Sequence, residues 1–261
     1  QEVNSSLSLP QNYNNQIEKA LAEFDLITDG DKILVGLSGG KDSSFLLYAL
    51  AVLKKHLGID FELEALTIDL GFEEQQNFSK LKKFCDSIEV PFTVEKTNIA
   101  EYILDPDIKN PCSKCAHFRK GAIVRFMNKK GFEKIAYGHH YDDAVETFLM
   151  SIIYSGQLKT FQPKQYLSTN EIYIIRPLVY LREKEIKEGQ NLHGYSPIDS
   201  PCPHDGASKR EEIKQHFQDF LYDKQIFYNL VAAMREGTTI ELWPKQPDDD
   251  VLGEKMYQLW D

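Results

Sequence analysis

Apolar positions along the chain keep two rhythms in turn. Ile17, Ala20, Leu21, Phe24 and Leu26 recur at helical spacing and predict a helix ahead of the first strand. Residues 31–36 form a flat apolar run, as expected of a central strand buried on both faces. The pattern then predicts a helix from Ser43 to near Gly58, a strand over 61–68 ending at Asp69, a helix over 74–88 and a strand over 92–95. Pro106 and Pro111 mark 98–111 as loop. A helix over 114–130, a strand over 134–138, a helix over 142–154, a fifth strand over 173–176 and a short helix near 182–188 follow. Glycines and prolines break 194–206 into a loop, and a long helix spans 208–234. From Thr238 the tail is too rich in Pro and Asp for core, with Trp243 and Trp260 available to dock it. Strands alternating with helices across long crossovers specify an α/β fold: a parallel five-stranded sheet with helices on both faces.

Such sheets bind ligands at the carboxyl ends of their strands. The first strand runs there into Leu37-Ser38-Gly39-Gly40-Lys41-Asp42-Ser43-Ser44. Adjacent glycines let the backbone approach a ligand, and the first-turn N–H groups of the next helix point at an anion. Ser38, Ser43 and Ser44 add hydroxyls, and Asp42 could cap the helix or hold a cation. An ordinary strand-to-helix turn needs one glycine and one cap rather than this whole string. Neither the Walker spacing nor the dinucleotide glycine pattern is present. At the end of the fourth strand stands Gly138-His139-His140-Tyr141-Asp142-Asp143, whose carboxylates open a helix where negative charge is favoured. They could merely cap, or hold Mg²⁺ beside a phosphate. Asp69 ends the second strand as a contact to nucleotide or metal, or as a solvated carboxylate.

Cysteines change the picture further. Cys112 and Cys115 form a C-x-x-C at a loop-to-helix junction, where N–H groups and basic neighbours lower a thiol's pKa. Cys202 stands far along the chain in Ser200-Pro201-Cys202-Pro203-His204. Two thiolates plus a distant third could hold an iron–sulfur cluster; zinc would take a fourth ligand such as His204, and a metal-free dithiol is the remaining alternative. Cys85 lies in an apolar helical stretch and reads as core.

The chain of 261 residues carries a net charge of −10, which argues against a polyanionic partner until its distribution is read. Between Lys109 and Lys134 eight basic residues face one acid, whereas 236–261 holds seven acids and two bases. One basic segment, carrying the paired cysteines, therefore stands in an acidic protein. No apolar stretch is long enough for a membrane span and no basic-then-apolar leader opens the chain, so the expected compartment is cytoplasmic. The natural partition is an N-terminal helical segment (1–29), an α/β domain with an inserted C-x-x-C helix (30–206), and a C-terminal helix with acidic tail (207–261).

Ser38-Gly39-Gly40-Lys41-Asp42-Ser43 resembles the PP-loop of the ATP pyrophosphatases, and Gly138-His139-His140-Tyr141-Asp142-Asp143 resembles their Gly-His-x-x-Asp-Asp element. With Cys112-Ser113-Lys114-Cys115, Ile175-Arg176-Pro177-Leu178 and Arg182-Glu183-Lys184-Glu185-Ile186, the chain over about 30–210 is similar to the tRNA 2-thiocytidine synthetase family. The resemblance implies a Rossmann-like, adenine nucleotide alpha hydrolase fold. It implies an ATP-dependent tRNA thiolase that adenylates a base carbonyl, cytidine C2, releases pyrophosphate, and replaces the oxygen by sulfur. Leu37, Ser38, Gly39, Gly40, Lys41, Asp42, Ser43, Asp69, Gly138, His139, Asp142 and Asp143 would bind ATP, with Asp142 and Asp143 on Mg²⁺. Cys112, Cys115 and Cys202 would hold a 4Fe-4S cluster and act with Asp42 in catalysis. Lys114, Arg119, Lys120, Arg125, Lys129 and Arg176 would meet tRNA. A cysteine desulfurase or inorganic sulfide would donate sulfur, and a homodimer stays open. The chain departs from the family at Cys202-Pro203-His204-Asp205, where a second C-x-x-C is usual. A thiolase or ligase for a small molecule, 2-thiouridine synthesis, and a non-catalytic ATP-binding protein are the other readings.

Overall fold

The computed structural model describes residues 7–72, 77–105, 107–198, 202, 209–240, 242 and 244–258, except the side chain of His193. In chain order the elements are α1 (Gln11–Glu23), β1 (Asp31–Gly36), α2 (Lys41–His56), β2 (Phe61–Asp69), α3 (Ser79–Ser87), β3 (Phe92–Lys96), α4 (Ile99–Ile103) and α5 (Pro111–Lys130). There follow β4 (Lys134–Ala136), α6 (Tyr141–Ser155), β5 (Lys164–Leu167), β6 (Ile172–Ile175), α7 (Glu183–His193), α8 (Lys209–Tyr222), α9 (Lys224–Ala233) and α10 (Asp249–Tyr257). The sheet order is β3-β2-β1-β4-β6-β5, parallel throughout except for β5.

Side-chain alternation on β1 divides the core. Ile33 and Val35 face one layer with α1, α2 and α7; Leu34 faces α5 with Leu66, Ile135 and Met127. Burial on both faces explains why this strand reads as an unbroken apolar run. The helix expected over 1–29 is part of the first layer through Tyr13, Ile17, Ala20 and Leu21. A third cluster joins α6 to α8 and α9 through Val145, Leu149, Ile213 and Phe227.

Three expectations are corrected. The sheet has six strands, because β5 is an antiparallel edge strand of mixed polarity (Lys-Gln-Tyr-Leu) that turns back into β6 and has no apolar run to betray it. The predicted loop over 98–111 contains α4, which buries Ile99, Ala100 and Ile103. The long helix over 208–234 breaks at Asp223, whose carboxylate accepts the Ile226 N–H at 2.8 Å and starts α9; apolar spacing runs on across the break and hides it. The acidic tail forms α10, which buries none of its residues, in keeping with its reading as non-core. Residues 73–76, where the third helix was expected to start, lie outside the described residues, as do Trp243, Trp260, Ser200, Pro201 and His204 with its suggested ligand role. No helix among the described residues is long and apolar enough to cross a membrane.

From β1 the chain steps outward to β2 and β3, then crosses to β4 on the other side of β1. The carboxyl ends of β1 and β4 therefore flank the point where strand order reverses, which is where open α/β sheets form their ligand crevice.

Candidate active site

The loop between β1 and α2 is held open by its own hydroxyls. Ser38 Oγ lies 3.0 Å from Ser43 Oγ, the Ser38 N–H donates to Ser43 Oγ at 3.2 Å, and the Gly40 N–H donates to Ser38 Oγ at 3.3 Å. Ser44 Oγ donates to the carbonyls of Gly40 and Lys41. Leu37 is buried, with its carbonyl accepting from Thr67 at 2.6 Å. The N-cap of α2 is Gly40, which offers no side chain to the first-turn N–H groups, so those donors face the crevice. Gly39 has φ +87°, a conformation that suits glycine alone among common residues here. Its carbonyl is gripped twice from the far end of the chain, by the Ile198 N–H at 3.1 Å and the Tyr195 hydroxyl at 3.2 Å.

Gly138 brings the second motif against this loop. A Cβ there would lie 2.7 Å from both the carbonyl carbon and oxygen of Asp42, so the two backbones are in direct contact. His140 starts α6 with a reciprocal cap: its Nδ1 accepts the Asp143 N–H and Asp143 accepts the His140 N–H at 2.9 Å. His140 Nε2 sits 3.8 Å from Asp42 and 3.4 Å from Asp143, so these two carboxylates converge on one imidazole. Asp142 also lies 3.8 Å from His140, at Nδ1, but its hydrogen bonds go elsewhere. Arg182 donates to both its oxygens at 3.0 and 3.1 Å, and the Glu183 N–H donates to it at 2.7 Å, so it anchors the start of α7. His139 accepts from Arg176 Nε at 3.3 Å through Nδ1, which leaves Nε2 as the protonated nitrogen. Burial pushes the imidazole down to about 4, Arg176 and Arg210 adding to that against Asp143, so His139 is neutral near pH 7. Asp69 spends its carboxylate on its own turn, accepting the Gly71 N–H at 3.0 Å.

Lys41 and residues from α6, α7 and α8 complete the charge pattern. Lys41 Nζ lies 2.9 Å from Asp42 and 3.0 Å from Glu183 on α7. Burial alone would lower the ammonium, but Asp42 and Glu183 raise it. Glu183, which burial would raise, is held down to about 2 by Lys41, Lys214 and Lys187. From α8, Arg210 pairs with Asp143 and donates to Thr147 at 3.1 Å, and Lys214 reaches Glu183 at 3.4 Å and Glu146 at 3.6 Å. Glu146 is 2% exposed, and its Oε2 accepts no hydrogen bond among the described residues. Burial pushes its carboxyl up to about 7, reinforced by Asp143 and Asp142 against Lys214 and Arg210. Glu183 stands inside the Arg182–Ile186 motif without an assigned role; Glu146, Arg210 and Lys214 carry no local signal, because only folding brings α8 to this crevice.

Cys112 and Cys115 open α5, where Cys112 is exposed and Cys115 half-buried. The Cys115 thiol is raised, contrary to the expected depression: burial dominates, Arg119 opposes it, and the nearby Cys202 and Cys112 add to it. Cys112 and Cys202 thus both come within electrostatic reach of Cys115. Among the described residues no three His, Cys, Asp or Glu side chains close around a single ion. Cysteine thiolates that do not close around one ion would suit a multi-iron cluster rather than a single zinc. Cys85 is buried in the main core and raised to about 12, as its apolar setting predicted. Lys114, Arg119, Lys120, Arg125 and Lys129 are exposed on α5. Arg176 does not join them: it is 6% exposed, packs on Phe161 and supports His139, which corrects its expected place on the RNA surface. Lys134 also turns inward, 2.5 Å from Asp31.

The PP-loop domain family model matches residues 9–218. The tRNA-cytidine(32) 2-sulfurtransferase of Vibrio cholerae serotype O1 (strain O395) is 36% identical over 230 residues, 82% of this chain and 73% of that protein. A second from Francisella philomiragia, tRNA-cytidine(32) 2-sulfurtransferase 1, is 35% identical over 212 residues, 79% of this chain and 82% of that protein. In fold the chain is similar to the U34-tRNA thiolase NcsA from Methanococcus maripaludis, solved with its [4Fe-4S] cluster. That likeness has a TM-score of 0.70 at 23% identity, over 89% of this chain and 80% of that one.

Proposed function

We propose a reaction from one premise: the chain belongs to the PP-loop family and, within it, to the tRNA-cytidine 2-sulfurtransferases. It is an ATP-dependent tRNA sulfurtransferase whose target is C2 of a cytidine in the anticodon loop, position 32 in the named relatives. The observation that carries this is the grip of Tyr195 and Ile198 on Gly39, which ties the chain leading to Cys202 to the phosphate loop.

ATP would lie with its phosphates on the N–H groups around Gly40 and the hydroxyls of Ser38 and Ser43. The cytidine O2 attacks the α-phosphorus, and the α–β bridging bond breaks with its electron pair going to pyrophosphate. Neutral His139 donates through Nε2 to a phosphate oxygen, while Lys41, Arg210 and Lys214 balance the charge of the departing group. Asp42 and Asp143 would hold Mg²⁺, with Asp142 serving α7 instead; two carboxylates are its usual protein share beside phosphates. Mg²⁺ would neutralise charge on the leaving pyrophosphate. Sulfide then adds to C2, and AMP leaves carrying the original oxygen, so no net oxidation occurs. A 4Fe-4S cluster on Cys112, Cys115 and Cys202 would supply an iron without a protein ligand to hold that sulfur. The donor would be a cysteine desulfurase or inorganic sulfide.

The test is anaerobic incubation of iron-loaded protein with unmodified tRNA, ATP, Mg²⁺ and sulfide, followed by nucleoside mass spectrometry and pyrophosphate release. One 2-thiocytidine per AMP is expected, with Cys202→Ser losing both bound iron and thiolation. Pyrophosphate release without any thionucleoside would overturn the reading.

A further inference from the structure

The first half of α5 is bare. From Cys112 through Lys120 every residue except Cys115 is exposed, whereas Ala122, Ile123, Val124, Phe126 and Met127 in the second half are buried. Two and a half turns of helix therefore project beyond the core that anchors them. Polar residues would suffice for a solvated helix, yet two large aromatics meet there. Phe118 on α5 and Tyr102 on α4 are 39% and 56% exposed, with ring centroids 5.9 Å apart and planes tilted by 40°. His117 adds an edge contact to Phe118 at 5.8 Å. Phe118 follows Cys115 by three residues, which puts both side chains on the same helix face about 5–6 Å apart at Cβ.

On the Phe118 side of this pair the charge is of one sign, whereas Glu101, Asp105 and Asp107 lie exposed in the segment that carries Tyr102. Lys114, Arg119 and Lys120 are exposed beside Phe118, and no acidic residue stands between Ile108 and Phe132. Point cations flanking an open aromatic face match the phosphates and the π-face of an unpaired nucleotide.

We propose that Tyr102 and Phe118 form a stacking platform for an unpaired base of an RNA loop, seated beside Cys115, with Lys114, Arg119 and Lys120 on the adjoining phosphates. The platform rests on the tRNA sulfurtransferase reading above and adds a site for a base other than the one being modified. Stacking tolerates any base, so the platform would grip the loop without choosing its sequence.

Anticodon stem-loop RNA carrying 2-aminopurine at one loop position at a time tests it, beside the same stem closed by a non-nucleotide linker. Wild-type protein should quench the probe strongly at one position. Phe118→Ala and Tyr102→Ala should each weaken stem-loop binding at least about fivefold, the low end of the effect of losing one stacked base. That quenching should vanish, with the salt dependence of binding and the thermal melt unchanged. Phe118→Trp should restore both affinity and quenching, and all variants should bind the linker-closed stem alike. Wild-type affinity and quenching in Phe118→Ala, or equal weakening toward both RNAs, would remove the platform and leave the sulfurtransferase reading standing. Failure of wild-type protein to bind the stem-loop would remove both.

Discussion

Gly138 has no room for a side chain, and the atoms it would strike are backbone. A methyl there must separate the β4 turn from the first turn of α2, because the Asp42 carbonyl cannot rotate aside. Gly138→Ala should lower the turnover number for pyrophosphate release by at least about tenfold, since misplacement of about 1 Å can cost on the order of a hundredfold. The neighbouring aspartates should separate by assay. Asp142→Asn weakens the hold on Arg182 and should lower unfolding stability by about 2 kcal/mol, as loss of a hydrogen bond to a charged partner does, seen in urea titration. Asp143→Asn should instead reduce turnover while leaving more of the stability. Glu146 adds a pH signature. Its carboxyl rises from 4.5 to about 7, so between those values the folded protein keeps a proton that the unfolded chain has released. Stability attributable to Glu146 therefore falls as pH rises through that window, and Glu146→Gln should flatten it in melting curves from about pH 5 to 8. His139, pushed down to about 4, acts oppositely, its contribution being lost as pH falls below 6.5. The glycines, serines and histidines of this site were legible because backbone chemistry demands them in consecutive order. The division of labour between Asp142 and Asp143 was not, because it is decided by Arg182, forty residues away.

α8 is the element whose contribution exceeds what its sequence announces. It buries Ile213 and Leu221 against α6 and α9, and that docking aims Arg210 and Lys214 at Asp143, Glu146 and Glu183. Removing one such charge should act mainly on the chemical step. Arg210→Ala should reduce the turnover number for AMP formation by about tenfold to a hundredfold, with a smaller change in the Michaelis constant for ATP. An equal rise in the Michaelis constant with turnover intact would show that Arg210 only binds ground-state phosphate. Strands with continuous apolar runs and helices with clear spacing were readable from the chain. β5 was not, because an edge strand needs little apolar content, and the break at Asp223 was not, because capping interrupts a helix without disturbing its hydrophobic period.

Across the whole molecule, charge is sorted rather than balanced. The acidic total would repel a polyanion, yet α5 carries cations along its length, with Lys114, Arg119 and Lys120 in the half that begins at Cys112 and Cys115. Binding of tRNA should accordingly weaken steeply with salt, and Arg119→Ala or Arg125→Ala should each reduce the logarithmic slope by roughly one phosphate contact. A slope identical to wild type in both variants would place the RNA on another face. The basic stretch itself could be counted in the sequence; that Lys134 and Arg176 turn inward could not, since both are drawn in by partners from other elements.

One small contact sets a condition on all of this. The carbonyl of Gly39 is clasped by Tyr195 and Ile198, a few residues ahead of Cys202, which would couple the proposed fuel cradle to the proposed sulfur port. Oxidative damage that drags the third cysteine aside would also slacken the turn on which triphosphate must rest. The enzyme would then idle rather than squander ATP on bases it can no longer thiolate.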